Sequence, residues 1–223
     1  MNLAVLVPVK ELKDAKARLA PLYPEEVRRE LAWIMLGGVL EVVAALSGPL
    51  RKVVVTSDEE AARLAEEKGF EVFREERQIS ESNSVDRACA LLEQEGVSGV
   101  LRVPLDLPCL RREDLEQILA RARDGIGAVI VPSRDRDGTN GLYRAPPTLF
   151  PARFGPGSLA LHEALAREMA SRWEVLPLAS MALDVDDPAD VAELMARQGS
   201  GPAKKFLEGV AAEKAAGKKA EQG

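Results

Sequence analysis

The chain of 223 residues predicts an α/β fold: a mostly parallel sheet flanked by helices. Three observations carry that reading. Short apolar runs of strand length alternate with longer stretches of helical spacing as far as residue 131. The segment Val100-Leu101-Arg102-Val103-Pro104-Leu105-Asp106-Leu107-Pro108 reads as a buried strand that ends in a lone carboxylate just ahead of a proline. Residues preceding proline are pushed toward extended geometry, so the chain cannot pass straight into a helix. The acid therefore sits at the carboxyl end of a strand, where open α/β sheets bind their ligands. Third, one apolar strand at the N-terminus is followed by a basic loop, Lys10 through Arg18.

Taken in order, residues 3–7 form a strand, and 24–46 a helix through Leu31, Ile34, Met35 and Val42, with Pro24 and Glu25 suited to its start. Residues 53–56 are a strand. Ser57 is placed to cap the next helix, with Glu59 and Glu60 near its positive end. A strand follows at 70–73, then a helix from Ser84, as cap, to about 95, and the strand 97–103. Residues 114–123 are helical and 128–131 extended. Beyond Pro132 the rhythm breaks into a turn-rich loop, Asp135 to Gly141, and then a strand at 142–144. A helix at 158–169, short strands at 175–178 and 183–185, and a helix at 188–196 complete the body. Residues 1–198 read as one domain. From residue 199 to 223 the composition turns to Ala, Lys, Glu and Gly, which predicts a frayed helix or a disordered, dispensable tail.

Bulk composition excludes several classes. Net charge −6 argues against nucleic acid as partner. No stretch approaches the ~18 apolar residues of a membrane span, and the N-terminal run lacks the basic start and long apolar core of a signal peptide. Cys89 and Cys109 have no metal-ligand spacing and read as reduced, cytoplasmic thiols. His162 is the only histidine, so His-rich metal sites are excluded.

The chemistry-bearing residues fall into three sets. Asp106 has no evident capping duty, since Glu113 or Asp114 can serve the helix that follows. Asp184 and Asp186 alternate on an extended segment and so share a face, whereas Asp187 and Asp190 read as cap and first turn of the next helix. Like charges on one face call for a cation, and Mg²⁺ prefers such oxygens. In the basic loop, Lys10, Lys16 and Arg18 can face a triphosphate and the charge that develops on a transferred phosphorus; the plain alternative is a solvated helix start, which fits Lys13. It is not a Walker A loop. Third, Gly138-Thr139-Asn140-Gly141 and Phe154-Gly155-Pro156-Gly157-Ser158 offer backbone N–H groups and hydroxyls suited to phosphate or carboxylate. The alternative is two ordinary turns with Ser158 as an N-cap. His162, one helical turn beyond Ser158, either touches a bound anion or packs.

With these motifs in order, the chain over roughly residues 1–197 resembles the 2-phospho-L-lactate guanylyltransferase family, also called phosphoenolpyruvate guanylyltransferases, of coenzyme F-420 biosynthesis. The resemblance rests on Pro8-Val9-Lys10, Ala15-Lys16-Ala17-Arg18-Leu19, Ser84-Val85-Asp86, Asp106-Leu107-Pro108, Asp137-Gly138-Thr139-Asn140, Phe154-Gly155-Pro156-Gly157-Ser158, His162 and Asp184-Val185-Asp186-Asp187-Pro188. It implies a nucleotidyltransferase fold of the nucleotide-diphospho-sugar transferase type. It implies transfer of GMP from GTP to a phosphorylated three-carbon acid, in a protein that is a monomer or homodimer. Pro8, Val9, Lys10, Lys16, Arg18, Ser84 and Asp86 would attend the nucleotide, and Lys10, Lys16, Arg18 and Asp106 the chemistry. Thr139, Asn140, Gly155, Ser158 and His162 would attend the acid, and Asp106, Asp184 and Asp186 would hold Mg²⁺. Two other readings remain open from the residues: another nucleotidyltransferase or a glycosyltransferase using Asp184-x-Asp186 as its metal motif, and a nucleotide-binding protein without catalysis.

Overall fold

The computed structural model describes residues 2–199 and 201–220. Its centre is β1 (Leu3–Val9), buried along its whole length because both faces are covered. Leu3, Val5, Val7 and Val9 enter one apolar cluster, and Ala4 and Leu6 the cluster on the opposite face. The other strands are β2 (Leu50–Thr56), β3 (Glu71–Arg74), β4 (Gly99–Arg102), β5 (Ala128–Pro132), β6 (Thr139–Arg144) and β7 (Trp173–Val175). They form one sheet in the order β3-β2-β1-β4-β6-β5-β7. β1, β2, β3 and β4 pair in parallel, as do β5 and β7, while β6 runs antiparallel to both β4 and β5. The predicted single-domain, mostly parallel α/β sheet is what the chain forms.

On one face lie α1 (Glu25–Ala44), α2 (Glu59–Glu67) and α4 (Arg112–Arg123). On the other lie α3 (Glu81–Gln94) and α5 (Ser158–Met169). Two capping expectations shift. Asp58, not Ser57, accepts the N–H groups of Glu60 and Ala61, since a carboxylate reaches two donors. Ser80, not Ser84, caps α3, which therefore starts a turn earlier. The late strands shift as well. β7 comes before the predicted 175–178, and residues 183–185 carry no strand, although they stay extended enough for Val185 N–H to reach the Asp106 carbonyl (3.2 Å).

The tail is the main correction. Residues 202–220 form α7 (Pro202–Ala220), which packs on α1 and α6 (Pro188–Ala196). Ala203 and Leu207 are buried beside Leu31 and Met35 of α1, with Phe206 packed against them. Lys214 donates to the Leu22 carbonyl (2.7 Å) and sits over the Tyr23 ring. A few apolar residues at helical spacing are enough to dock a helix when α1 offers them a groove. Ser200 and residues 221–223 of the predicted tail lie outside the described residues. No helix among the described residues is long and apolar enough to cross a membrane.

Candidate active site

The chain leaves β1 toward β2 on one side and β4 on the other, so the crevice beyond the carboxyl ends of β1 and β4 is a topological switch point. Because β6 is reversed, its first residues, Thr139 and Asn140, arrive at that same edge. The next position is tight: a Cβ on Gly141 would lie 3.0 Å from Val131 Cγ2 and 3.1 Å from Met181 Cε, so those side chains would have to give way. A cavity of about 530 Å³ opens there. It is lined by Pro8, Lys10, Lys16, Arg18, Asp106, Thr139, Asn140, Gly155, Ser158, Asp184 and Asp186, among others. Sequence-predicted residues from positions 8 to 186 thus meet at one place.

At its centre Lys16 Nζ donates to Asp106 Oδ2 and to Asp186 Oδ1, each at 2.8 Å. The side chain is only 2% exposed, and its backbone is left-handed (φ 56°, ψ 39°), a conformation that costs a non-glycine residue free energy. Burial opposes its charge, but Asp106 and Asp186 outweigh that and push the ammonium up to about 12. Burial likewise opposes ionisation of Asp106, yet Lys16, with Arg102 behind it, holds that carboxyl below its ordinary value. Asp184 has no lysine: burial, then Asp106 and Asp186, raise it, against one amide hydrogen bond from Asn140 (3.0 Å). Lys16 thus faces the acids, where the sequence reading put it on the triphosphate. Asp106 is free of capping duty, since Asp114 accepts the Arg111 N–H of α4. Asp187 and Asp190 form the capping box of α6.

Lys10 and Arg18 are exposed at the cavity wall, with no ion-pair partner among the described residues. Three nucleotide assignments do not reach the cavity. Val9 is a core residue. Ser84 is buried and donates to Glu75 Oε2 (2.6 Å). Asp86 accepts the Ala152 N–H and an Arg144 N–H (2.9 Å), which ties α3 to the chain beyond β6.

At the far side, Thr139 Oγ1 lies 2.9 Å from His162 Nδ1 and 3.4 Å from Ser158 Oγ. Gly157 is the N-cap of α5 and makes no side-chain cap, so Ser158 is not a capping serine. Gly155 and Gly157 take left-handed φ values of 121° and 71° to turn the loop into the helix, and Asp137 accepts the Gly157 N–H (2.9 Å). His162 does not contact the cavity. It is 0% exposed, and burial, then Arg144, Arg102 and Arg153, lower it to about 3. Its Nε2 accepts the Arg153 N–H (2.9 Å), so the proton of the neutral ring is on Nδ1 and is donated to Thr139. The Thr139 proton is left free to turn toward the cavity. Asn140 also departs from the expected role. Its amide is spent on the Met181 and Ala182 carbonyls and on Asp184, so it holds the acidic segment in place.

Arg102 and Glu81 are among the cavity residues that escaped sequence reasoning. Arg102, the last residue of β4, was hidden in an apolar run. It donates to the Thr139 carbonyl (3.2 Å), pairs with Glu81 at the start of α3 and lies 4.1 Å over the Phe154 ring. A lone cation inside a buried strand was the signal available.

Among the described residues, no group of three or more His, Cys, Asp or Glu is gathered tightly enough to hold a metal alone. The donors nevertheless suit a hard divalent cation. Asp106, Asp184 and Asp186 bring carboxylate oxygens to one cavity, and burial, then the charges of Asp106 and Asp186, raise Asp184.

Solved structures share the fold. A protein described as a nucleotide-diphospho-sugar transferase from Desulfovibrio desulfuricans G20 superposes with a TM-score of 0.76 at 18% identity, covering 95% of this chain and 96% of that one. A cytidylyltransferase from Leptospira borgpetersenii gives 0.58 at 14% identity, covering 96% of both. The likeness is one of fold, along nearly the whole of each chain.

The family described as "Guanylyl transferase CofC like" matches residues 3–220, and the chain belongs to it. That span includes α7, well past the residue 197 at which the motif resemblance ends. A phosphoenolpyruvate guanylyltransferase of Conexibacter woesei is 35% identical over 207 residues, covering 91% of this chain and 93% of the relative. One of Rubrobacter xylanophilus is 37% identical over 204 residues, covering 89% and 96%.

Proposed function

We propose that this chain is a guanylyltransferase that moves GMP from GTP onto the phosphate of a small three-carbon acid, in biosynthesis of coenzyme F-420. The observation that carries this is the division of one crevice around an acidic centre. Lys10 and Arg18, with no ion-pair partner among the described residues, lie in the loop after β1, Asp106 follows β4, and Thr139 opens β6, with β4 between β1 and β6 in the sheet. Family membership and the names of the relatives support the same reaction.

The acceptor phosphate is already ionised at neutral pH, so no general base is needed. One of its oxygens attacks the α-phosphorus of GTP. A new P–O–P bond forms as the bond from the α-phosphorus to the bridging oxygen of the leaving pyrophosphate breaks. Catalysis is then mainly positioning and neutralisation of charge. Lys10 and Arg18 attract the triphosphate and stabilise the departing pyrophosphate. The Thr139 and Ser158 hydroxyls and the N–H groups around Gly155 hold the acid. Mg²⁺, held by Asp106, Asp184 and Asp186, would supply Lewis-acid neutralisation of the phosphate oxygens.

The test is pyrophosphate release with GTP, Mg²⁺ and, in turn, phosphoenolpyruvate, 2-phospholactate and 3-phosphoglycerate. Release with one of them, together with a guanylylated product, is the expected result. No release with any of the three, or turnover of a nucleotide-sugar in place of GTP, would refute the reading.

A further inference from the structure

We infer that Arg102 is the carboxylate receptor of the acid subsite and that Glu81 is a built-in competitor, displaced when the substrate acid binds. The inference rests on the proposal that the Thr139 and Gly155–Ser158 loops hold a phosphorylated acid.

Arg102 lines the cavity, and its side chain is only 6% exposed. Its guanidinium is anchored within the acid subsite. One terminal nitrogen donates to the Thr139 carbonyl, and the plane stacks on Phe154, the residue that starts the Gly155–Ser158 loop. The same loop is tied to the start of α3, where the Phe154 N–H donates to Ser82 Oγ (2.9 Å). Arg102 therefore moves with the subsite, not with the triphosphate side.

The remaining edge of the guanidinium is half used. Nη2 is taken by Glu81, but Nε is buried and has no partner among the described residues. Nε and Nη2 of an arginine present two parallel N–H bonds, the fork that a carboxylate satisfies with both oxygens. Glu81 fills one prong. A buried donor left idle is costly, so the Arg102 Nε, at the cavity, is suited to a further acceptor. Glu81 is 38% exposed, so its carboxylate can swing into water at little cost. The substrate's carboxylate would then take both prongs. Before binding, Glu81 keeps the buried arginine neutralised.

Two substrate pairs isolate the carboxylate: phosphoenolpyruvate with isopropenyl phosphate, and 2-phospholactate with isopropyl phosphate, each second member having methyl where the acid has carboxylate. Pyrophosphate release gives kcat/KM for both members with wild type, Arg102→Met and Glu81→Gln. In Arg102→Met the preference for the acid over its methyl counterpart should fall about 10- to 100-fold, with KM for GTP unchanged. Loss of a merely structural contact would slow both members alike and leave the preference intact, which would overturn the inference. In Glu81→Gln, KM for the acid should fall about 3- to 10-fold, the gain from removing an exposed competitor. The methyl counterpart should be unaffected. If Arg102→Met does not fold, Glu81→Gln decides: an unchanged or raised KM for the acid, or a raised KM for GTP, overturns the inference. If wild type turns over none of the acids, the functional proposal itself fails, and this inference with it. Wild-type turnover with an intact preference in Arg102→Met sinks the inference alone.

Discussion

His162 should make this protein lose stability in mild acid, and replacing it should remove that loss. The ring is fully buried and neutral, lowered from 6.5 to about 3. Above pH 6.5 the imidazole is neutral in both folded and unfolded chains, and its contribution to stability is fully present. As pH falls below 6.5 the unfolded chain takes up a proton that the folded chain refuses, until the folded ring also protonates near pH 3. Over the whole window the loss is about 5 kcal/mol. Between pH 7 and pH 5 alone it is about 2 kcal/mol, approaching ~1.3 kcal/mol per pH unit at the lower end. Because His162 is the only histidine, no second imidazole confuses the slope. The control is His162→Gln, which stays neutral and can still accept from Arg153 and donate to Thr139. Urea unfolding of both proteins at pH 7, 6 and 5 gives the difference directly, and carboxylate contributions common to both cancel. The stability advantage of wild type over the variant should shrink by about 2 kcal/mol between pH 7 and pH 5. An advantage that stays constant across that range would show that the ring is not held neutral, and the proton donated to Thr139 would lose its basis.

Other outcomes follow from the site and from α7. Asp106→Asn should lower turnover by at least about a hundredfold, roughly 3 kcal/mol of transition-state stabilisation. The melting temperature should change little, since Lys16 keeps Asp186 as partner; paired rate and melting measurements check both. Ser158→Ala and Thr139→Val should raise KM for the acid by about ten- to a hundredfold and leave KM for GTP unchanged. Steady-state kinetics with each substrate varied separates these, and a shift in KM for GTP alone would mean the two halves of the site are reversed. Truncation after Gly199 should destabilise the protein by roughly 3–5 kcal/mol by removing Leu207, Phe206 and Ala203 from α1. A thermal melt unchanged by truncation would show that α7 contributes nothing to the body.

What was legible in the sequence depended on whether a residue's duty is local. Asp106 could be found because a carboxylate ends an apolar run beside prolines and has no helix to cap. Asp184 and Asp186 could be found because alternation puts them on one face, which holds here even without a strand, with Val185 turned into the core. The destination of Lys16 could not be read, since its partners lie 90 and 170 residues away. Arg102 and Glu81 were hidden for the same reason: each looks ordinary in its own segment, one a strand residue and the other a helix start. Ser84 and Asp86 erred in the other direction. A motif names them, but the three-dimensional path of α3 turns them toward Glu75, Arg144 and Ala152. The tail misled because composition averages over nineteen helical residues, whereas docking needs only the three or four that meet α1. β7 and the extended 183–185 segment show how loosely short strands are fixed without neighbours to pair them.

A crevice of acids that depended on divalent ions for its countercharge would make folding hostage to the free metal concentration around it. Here the chain carries its own counterion, Lys16, strained into a left-handed turn to reach two carboxylates at once. The body can therefore assemble in metal-poor conditions, with two of its three acids sharing one ammonium. On the proposed role of Mg²⁺, chelation should abolish turnover without unfolding the protein, which activity and melting curves in EDTA check.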